Sequence, residues 1–172
     1  MLAAGLASAQ QLPDYRLHPG DSVEIGVWKE TELQKIAIIR PDGKFSFPLV
    51  GEITAVGRTV TEIHKEIVDH LREFIPEPVV TVSVKEVDGN RVYVIGQVAK
   101  PGAVAMNPAI NVLQALAIAG GLTPFAAAND IIVIRKVGNE QQVLHFRYGE
   151  VAKGSGLQQN INLVAGDVVI VP

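Results

Sequence analysis

Four histidines, His18, His64, His70 and His145, are the side chains best suited to bind a metal or move a proton near neutral pH. His64 and His70 lie six positions apart in a stretch with helical periodicity, which puts them on different faces; a metal pair on one helix wants i,i+4 spacing. The sequence has no cysteine, so neither a thiolate ligand nor a disulfide can form. Glycoside hydrolysis would need two carboxylates flanking one cleft. Glu24, Glu52 and Asp130 are the acids to weigh for it, and nothing in their spacing brings them together. Ser155 sits in Gly154-Ser155-Gly156, which lacks both the G-x-S-x-G elbow of a serine nucleophile and the remainder of a phosphate-binding loop. Trp28 can stack on a sugar ring, a use that competes with burial in a core or an interface. These residues predict a protein without catalytic groups, metal or cofactor.

One pattern occurs twice. "LHPGDSVEI" at 17–25 and "LVAGDVVIV" at 163–171 both read Leu-x-x-Gly-Asp-x-Val. Gly20 and Gly166 are placed to take a backbone conformation that a β-carbon would strain, and Asp21 and Asp167 to accept backbone N–H groups ahead of a strand. The first copy leads into further strands and a helix, whereas the second leads to the chain end. The pair is therefore a shared turn device and not two halves of a duplication.

The elements that position these residues follow from periodicity. "SVEIGVWK" alternates as a strand, and Pro41-Asp42-Gly43 turns the chain between two extended runs, predicting a β-meander. Thr59 and Glu62 have capping-box spacing, and Val60, Ile63, Ile67, Leu71 and Phe74 then form an apolar helical stripe that Pro76 and Pro78 end. "VVTVSVKEV" at 79–87 reads as a half-buried strand, and Asp88-Gly89-Asn90 as a hairpin turn into "RVYVIGQV". In the second half, Asn111 and Gln114 cap "VLQALAIA", a helix apolar on nearly every face, for which burial on more than one side is expected. Strands at 130–136, "QVLHF" and "DVVIVP" complete an α+β arrangement. Gly43, Gly51, Gly96, Gly102, Gly120 and Gly121 join Gly20 and Gly166 as turn glycines.

Composition narrows the function classes. Hydrophobic residues at 48% against 19% charged give a chain able to bury a core. The length suits one domain or two small ones. A formal net charge of −3, with no run of Lys or Arg, speaks against a nucleic-acid partner. Ala7-Ser8-Ala9 ahead of Gln10 has the small-x-small form of an export-signal cleavage site, so residues 1–14 read as a signal remnant and the protein as exported.

Taken in order, "YRLHPGDSVEIGVW", "RPDGKFSFPLVGEI", "GRTVTEIHKEI" and "PEPVVTVSV" resemble the N-terminal domain of bacterial outer-membrane polysaccharide export proteins, over residues 15–87. "VIGQVAKPGAVAM", "NVLQALAIAGGLTPFA" and "INLVAGDVVIVP" resemble the soluble-ligand-binding β-grasp domain that follows it, over 91–172. The resemblance implies a periplasmic, ring-forming homo-oligomer associated with the outer membrane, through which a capsular polysaccharide or exopolysaccharide passes. It also implies an inner-membrane chain-length regulator of the tyrosine-kinase type as partner. Larger members continue into further β-grasp modules and a pore-lining amphipathic helix; the expectation here is a short form that docks to a separate outer-membrane β-barrel. A conduit wall must offer hydrogen bonds without holding any one sugar tightly. Arg40, Asp42 and Lys44 near the meander tip, with Gln97 and Lys100 in the second module, are the candidate polymer-facing residues. The alternatives are a monomeric periplasmic module that binds a glycan or small ligand and, behind it, a polysaccharide-modifying enzyme.

Overall fold

The computed structural model describes residues 14–172. The Ala7-Ser8-Ala9 signature lies outside the described residues. The fold is α+β, with one hydrophobic core in each half of the chain.

In the first half, β1 (Ser22–Val27) is the middle strand of an antiparallel sheet, flanked by β2 (Glu30–Ile38) and β5 (Val80–Glu86). Alternation along β1 buries Val23, Ile25 and Val27 and turns Glu24 and Gly26 outward. The inward set packs in one core with Ile63, Ile67 and Leu71 of α1 (Val60–Leu71). A two-stranded hairpin of β3 (Lys44–Phe47) and β4 (Gly51–Thr54) adds Phe45, Phe47 and Ile53 to that core.

This differs from the expected meander. The turn at Arg40–Gly43 forms, with Gly43 N–H donating to the Arg40 carbonyl at 2.9 Å, but it leads from one sheet to another. The reason lies in the bonds at its ends. Ile39 is bonded back to the start of β1, donating to the Asp21 carbonyl at 2.8 Å, while the Gly43 carbonyl accepts N–H bonds from Ala55 at 2.8 Å and Val56 at 3.1 Å beyond β4. β3 is thereby committed to β4, and β1 takes its second neighbour from β5.

α1 opens on the anticipated capping box: Glu62 N–H donates to Thr59 Oγ1 at 3.3 Å, and Thr59 N–H to Glu62 Oε2 at 2.8 Å. It ends at Leu71, five residues before Pro76, because Phe74 and Ile75 N–H groups both bond to the Leu71 carbonyl and close the ladder there. Phe74 is consequently 56% exposed, and Ile75 takes the core-side position instead.

Asp88-Gly89-Asn90 is a turn but not a hairpin, since the strands on either side enter different sheets. β6 (Arg91–Gly96) pairs antiparallel with β7 (Gly102–Ala105) and parallel with β10 (Val168–Val171). The turn is nevertheless held on both sides. Gly89 N–H donates to Asp21 Oδ1 at 2.8 Å, and Met106 N–H to the Asn90 carbonyl at 2.8 Å. A β-carbon on Gly89 would stand 2.3 Å from the Pro19 carbonyl oxygen, so only glycine fits this approach. Gly89→Ala is expected to lower the thermal midpoint by about 2–8 °C, from an overpacking cost of roughly 1–2 kcal/mol. Scanning calorimetry checks it, and an unchanged midpoint would mean that the two halves are not clamped at this turn.

The second sheet runs β7-β6-β10-β8-β9, with β8 (Ile131–Val137) and β9 (Glu140–Phe146) joined by the two-residue turn Gly138-Asn139. The last strand inserts beside β6, which puts the most distant parts of this half in the middle of its sheet. α2 (Val112–Ile118) covers one face with Val112, Ala115, Leu116 and Ala119. Its other side is open within the chain: Ile118 is 54% exposed, so the expected burial on several sides is not met by the chain itself. At helical spacing Ile118 falls to the side of the stripe that meets the sheet, roughly 110° around the helix from its centre. A short helix, α3 (Tyr148–Val151), follows β9.

Candidate functional site

Arg40, Asp42 and Lys44 come together at the turn before β3, with Glu52 of β4 as a fourth member that the residue pattern did not connect to them. Arg40 Nη2 donates to Asp42 Oδ2 at 2.9 Å and to Glu52 Oε1 at 2.6 Å, Nε to Asp42 Oδ1 at 3.2 Å, and Lys44 Nζ stands 3.7 Å from Glu52 Oε2. Hydrogen bonds from the Arg40 guanidinium hold the Asp42 and Glu52 carboxyls below their usual range, and the two acids raise Arg40 in return. A general acid needs the opposite shift. The group is an exposed, charge-balanced surface of donors and acceptors. Hairpin register explains the meeting, because Lys44 pairs with Thr54 and Ser46 with Glu52; seeing it requires knowing that β3 turns onto β4.

Gln97 and Lys100 lie elsewhere. Gln97 Oε1 accepts from Thr123 Oγ1 at 2.9 Å while its backbone N–H donates to the Val171 carbonyl at 2.8 Å, and Lys100 N–H donates to the Ala119 carbonyl at 2.8 Å. Both fasten the β6–β7 connection to its surroundings, and among the described residues no hydrogen bond or ion pair joins them to the Arg40 group. The three acids weighed for hydrolysis are likewise apart. Glu24 on β1 pairs with Lys85 at 3.7 Å, Glu52 belongs to the Arg40 group, and Asp130 precedes β8. His64 and His70 bond separate backbone carbonyls, of Val80 at 3.1 Å and Glu66 at 2.9 Å. Among the described residues there is no cluster of three side chains able to hold a metal ion, and no helix long and apolar enough to cross a membrane.

The repeated Leu-x-x-Gly-Asp segments share one geometry. Asp21 Oδ2 accepts His18 N–H at 2.8 Å and Asp21 N–H returns to the His18 carbonyl at 3.1 Å; Asp167 Oδ2 accepts Val164 N–H at 2.9 Å and Asp167 N–H returns to the Val164 carbonyl at 3.1 Å. The glycine before each acid has a left-handed backbone, φ +96° at Gly20 and +89° at Gly166. Gly51, Gly96, Gly120 and Gly121 also have positive φ, within a range that runs from +79° at Gly43 to +152° at Gly102. Both carboxylates are buried, and each recruits a different third party. Asp167 takes Arg135 on β8, with Nη2 to Oδ2 at 2.6 Å and Nε to Oδ1 at 3.0 Å, a fork that raises the guanidinium pKa. Asp21 takes the Tyr15 hydroxyl at 2.6 Å and Gly89 N–H at 2.8 Å. Burial pushes the Asp21 carboxyl up, but bonds from His18, Tyr15 and Gly89 together outweigh it and leave the group below its usual range. Burial and the bond to Asp21 push the Tyr15 phenol up. One device thus closes the second sheet internally and, in its other copy, ties the first half to the turn that starts the second.

Residues 9–85 match the family profile described as polysaccharide biosynthesis/export protein, and residues 90–171 match that of the SLBB domain. The chain belongs to the polysaccharide export protein family. Among relatives, the EPS I polysaccharide export outer membrane protein EpsA of Ralstonia solanacearum is 29% identical over 154 residues, covering 76% of this chain and 41% of the relative. The polysialic acid transport protein KpsD of Escherichia coli is 28% identical over 161 residues, 92% of this chain and 28% of the relative. The exopolysaccharide production protein ExoF of Rhizobium meliloti is 31% identical over 132 residues, 70% and 31% respectively. The chain spans less than half the length of these relatives. In this export-family chain the two matches meet at the stretch that contains Asp88 and Gly89, the turn that Asp21 holds.

Proposed function

We propose that the chain is a non-enzymatic periplasmic subunit of a capsular polysaccharide or exopolysaccharide export machine, assembling with copies of itself into a ring-like conduit that passes polymer toward the outer membrane. Family membership supports the export role, and the name of one relative, the outer membrane protein EpsA, supports its association with the outer membrane. Its partners in this reading are an inner-membrane chain-length regulator of the tyrosine-kinase type and an outer-membrane β-barrel. We place domain limits at 15–87 and 91–172, a reading supported by a core in each half and the turn between them. Arg40, Asp42 and Lys44, with Glu52, are proposed to face polymer as a balanced polar surface; Gln97 and Lys100 belong to a second, separate stretch of wall.

Self-association is carried by the outer face of the second sheet. Register aligns Tyr93, Val168, Ile134 and Val143 in one row across β6, β10, β8 and β9, and Ile95, Ile170 and Ile132 in the next. Tyr93, Ile95 and Val143 are between 44% and 49% exposed. An apolar face of this extent is the kind of surface that another protein surface covers. Light scattering on the purified chain is the test: a ring has a mass several times 18.4 kDa, and a mass that stays at that value across concentration would count against it.

A monomeric binding module is the second reading, favoured by an apolar cleft of about 460 Å³ beside the joint, lined by Tyr15, Val84, Val87, Met106 and Pro108. Saturable binding of a small ligand there by a chain that stays single would support it over the ring.

A further inference from the structure

The outer face of the β2-β1-β5 sheet, turned away from α1, carries a trough whose lining includes no member of the Arg40 group. Its floor is Gly26, in the interior of the central strand. No positive φ demands glycine here, and a β-carbon would meet a single atom within 4 Å, Thr81 Oγ1 at 3.3 Å, itself part of the trough wall. A glycine inside a strand marks a bulge or a close approach; Gly26 stands at the register shift between Ile25 and Val27 in the pairing with β2, and it leaves the trough floor without a side chain.

The trough has a volume of about 550 Å³, with Gln34 on the β2 side and Thr81 and Ser83 on the β5 side. That lies within the roughly 300–1,000 Å³ of small-molecule clefts. A smaller hollow of about 140 Å³ shares Gly26, Gln34 and Thr81 with it and is bounded by Trp28. Trp28 is the only tryptophan of the chain and is 71% exposed, against the ordinary preference of indole for burial. Its backbone is pinned, with N–H donating to the Val79 carbonyl at 2.9 Å, so the ring projects from a fixed strand end. An amide and two hydroxyls, with Glu24 and Lys35 also on the lining and an indole bounding the adjoining hollow, surround a floor without a side chain and match a pyranose unit. Its flat C–H face stacks on an aromatic ring, and its hydroxyls need both donors and acceptors.

We propose that this trough is a saccharide-binding shelf, with Trp28 as stacking platform and Gln34, Thr81 and Ser83 bonding sugar hydroxyls. The proposal rests on the export reading for the polymer as its source. The shelf is open to solvent and its charged lining residues, Glu24 and Lys35, are exposed, so it binds pyranose units weakly and tolerates differences between them, as polymer transit requires.

Because Trp28 is the sole tryptophan, its emission in the purified chain reports the site directly. Titration with maltoheptaose, a neutral glucan, and with oligosialic acid, an anionic glycan, should give a saturable change with at least one of them. Gln34→Ala should weaken it about fivefold, the worth of one net hydrogen bond. Gly26→Val should abolish it, with circular dichroism showing whether that variant keeps its fold; the exposed Gln34 variant keeps the test decisive if it does not. No response to either saccharide, or a response that Gln34→Ala leaves unchanged, overturns the proposal. So does emission that shifts with protein concentration alone, which would make this face a contact between copies. Restoration of surface polysaccharide in cells lacking the chain tests the export reading separately. Failure there with an intact Trp28 response counts against that reading and leaves the shelf standing.

Discussion

Leu116→Asp is expected to abolish cooperative folding of the second half of the chain, while Ile118→Asp, two residues on in the same helix, should leave the fold intact. Leu116 is 2% exposed and sits in the α2 stripe that meets the sheet. Removing its side chain forfeits about 2–5 kcal/mol of packing. Placing a carboxylate there adds several kcal/mol of desolvation with no cation to offset it. Together these are comparable to the ~5–15 kcal/mol that holds a typical domain. Ile118, at 54% exposed, already meets water, and a polar replacement at such a site changes stability by roughly 0.5 kcal/mol or less. Circular dichroism melts check both. The pair also bears on assembly. If copies cover this helix, Ile118→Asp folds but its solution mass falls toward that of one chain. An unchanged mass would confine assembly contacts to other surfaces, and a native melt for Leu116→Asp would overturn the burial argument.

What the residues revealed ahead of the structure was mostly local. Thr59 with Glu62 and Asn111 with Gln114 announce helix starts because a capping box is built from positions three apart. The Gly20-Asp21 and Gly166-Asp167 turns are legible for the same reason. Pairing is not local. Val23 meets Val84 across the intervening hairpin and helix, and Val169 inserts between Val94 and Val133 from near the far end of the chain. Alternation shows that each is a strand without naming its neighbour. The Pro41-Asp42-Gly43 turn was visible, yet which strands it joined depended on the clamp between Gly43 and Ala55. The Arg40 group shows the same limit: three of its members are near in sequence, and Glu52 arrives only through hairpin register. Trp28 and Phe74 fail in the other direction. Phe74 belonged to an apolar helical stripe and an early helix stop leaves it exposed, while Trp28, for which burial in a core was one reading, stands exposed at a strand end. Motif order read as a whole pointed further than any of these single features, through its resemblance to a known family of export proteins.

Asp21→Ala should cost more than any other single substitution at the joint. The carboxylate is 0% exposed and accepts from the Tyr15 hydroxyl, His18 N–H and Gly89 N–H. Alanine leaves these donors without their acceptor, at about 1–3 kcal/mol for each that water cannot reach. With partial hydration the loss is about 3 kcal/mol, or roughly 6–12 °C in a chain of this length. Asp21→Asn is a sharper probe, since an amide keeps one acceptor oxygen and turns its NH₂ toward a donor. The acid limb of stability should change as well. The folded-state carboxyl lies below its ordinary value near 3.8, so its contribution is fully present above that pH and disappears as the pH falls through the lower folded value. Wild type should therefore lose more stability than Asp21→Ala on acidification below about pH 4, and the gap between their denaturation midpoints should narrow. A gap that stays constant down to about pH 2 would show that the carboxylate contributes through packing alone. Amide exchange at Gly89 separates the two effects, because release of the joint exposes that N–H even where the rest of both sheets remains protected.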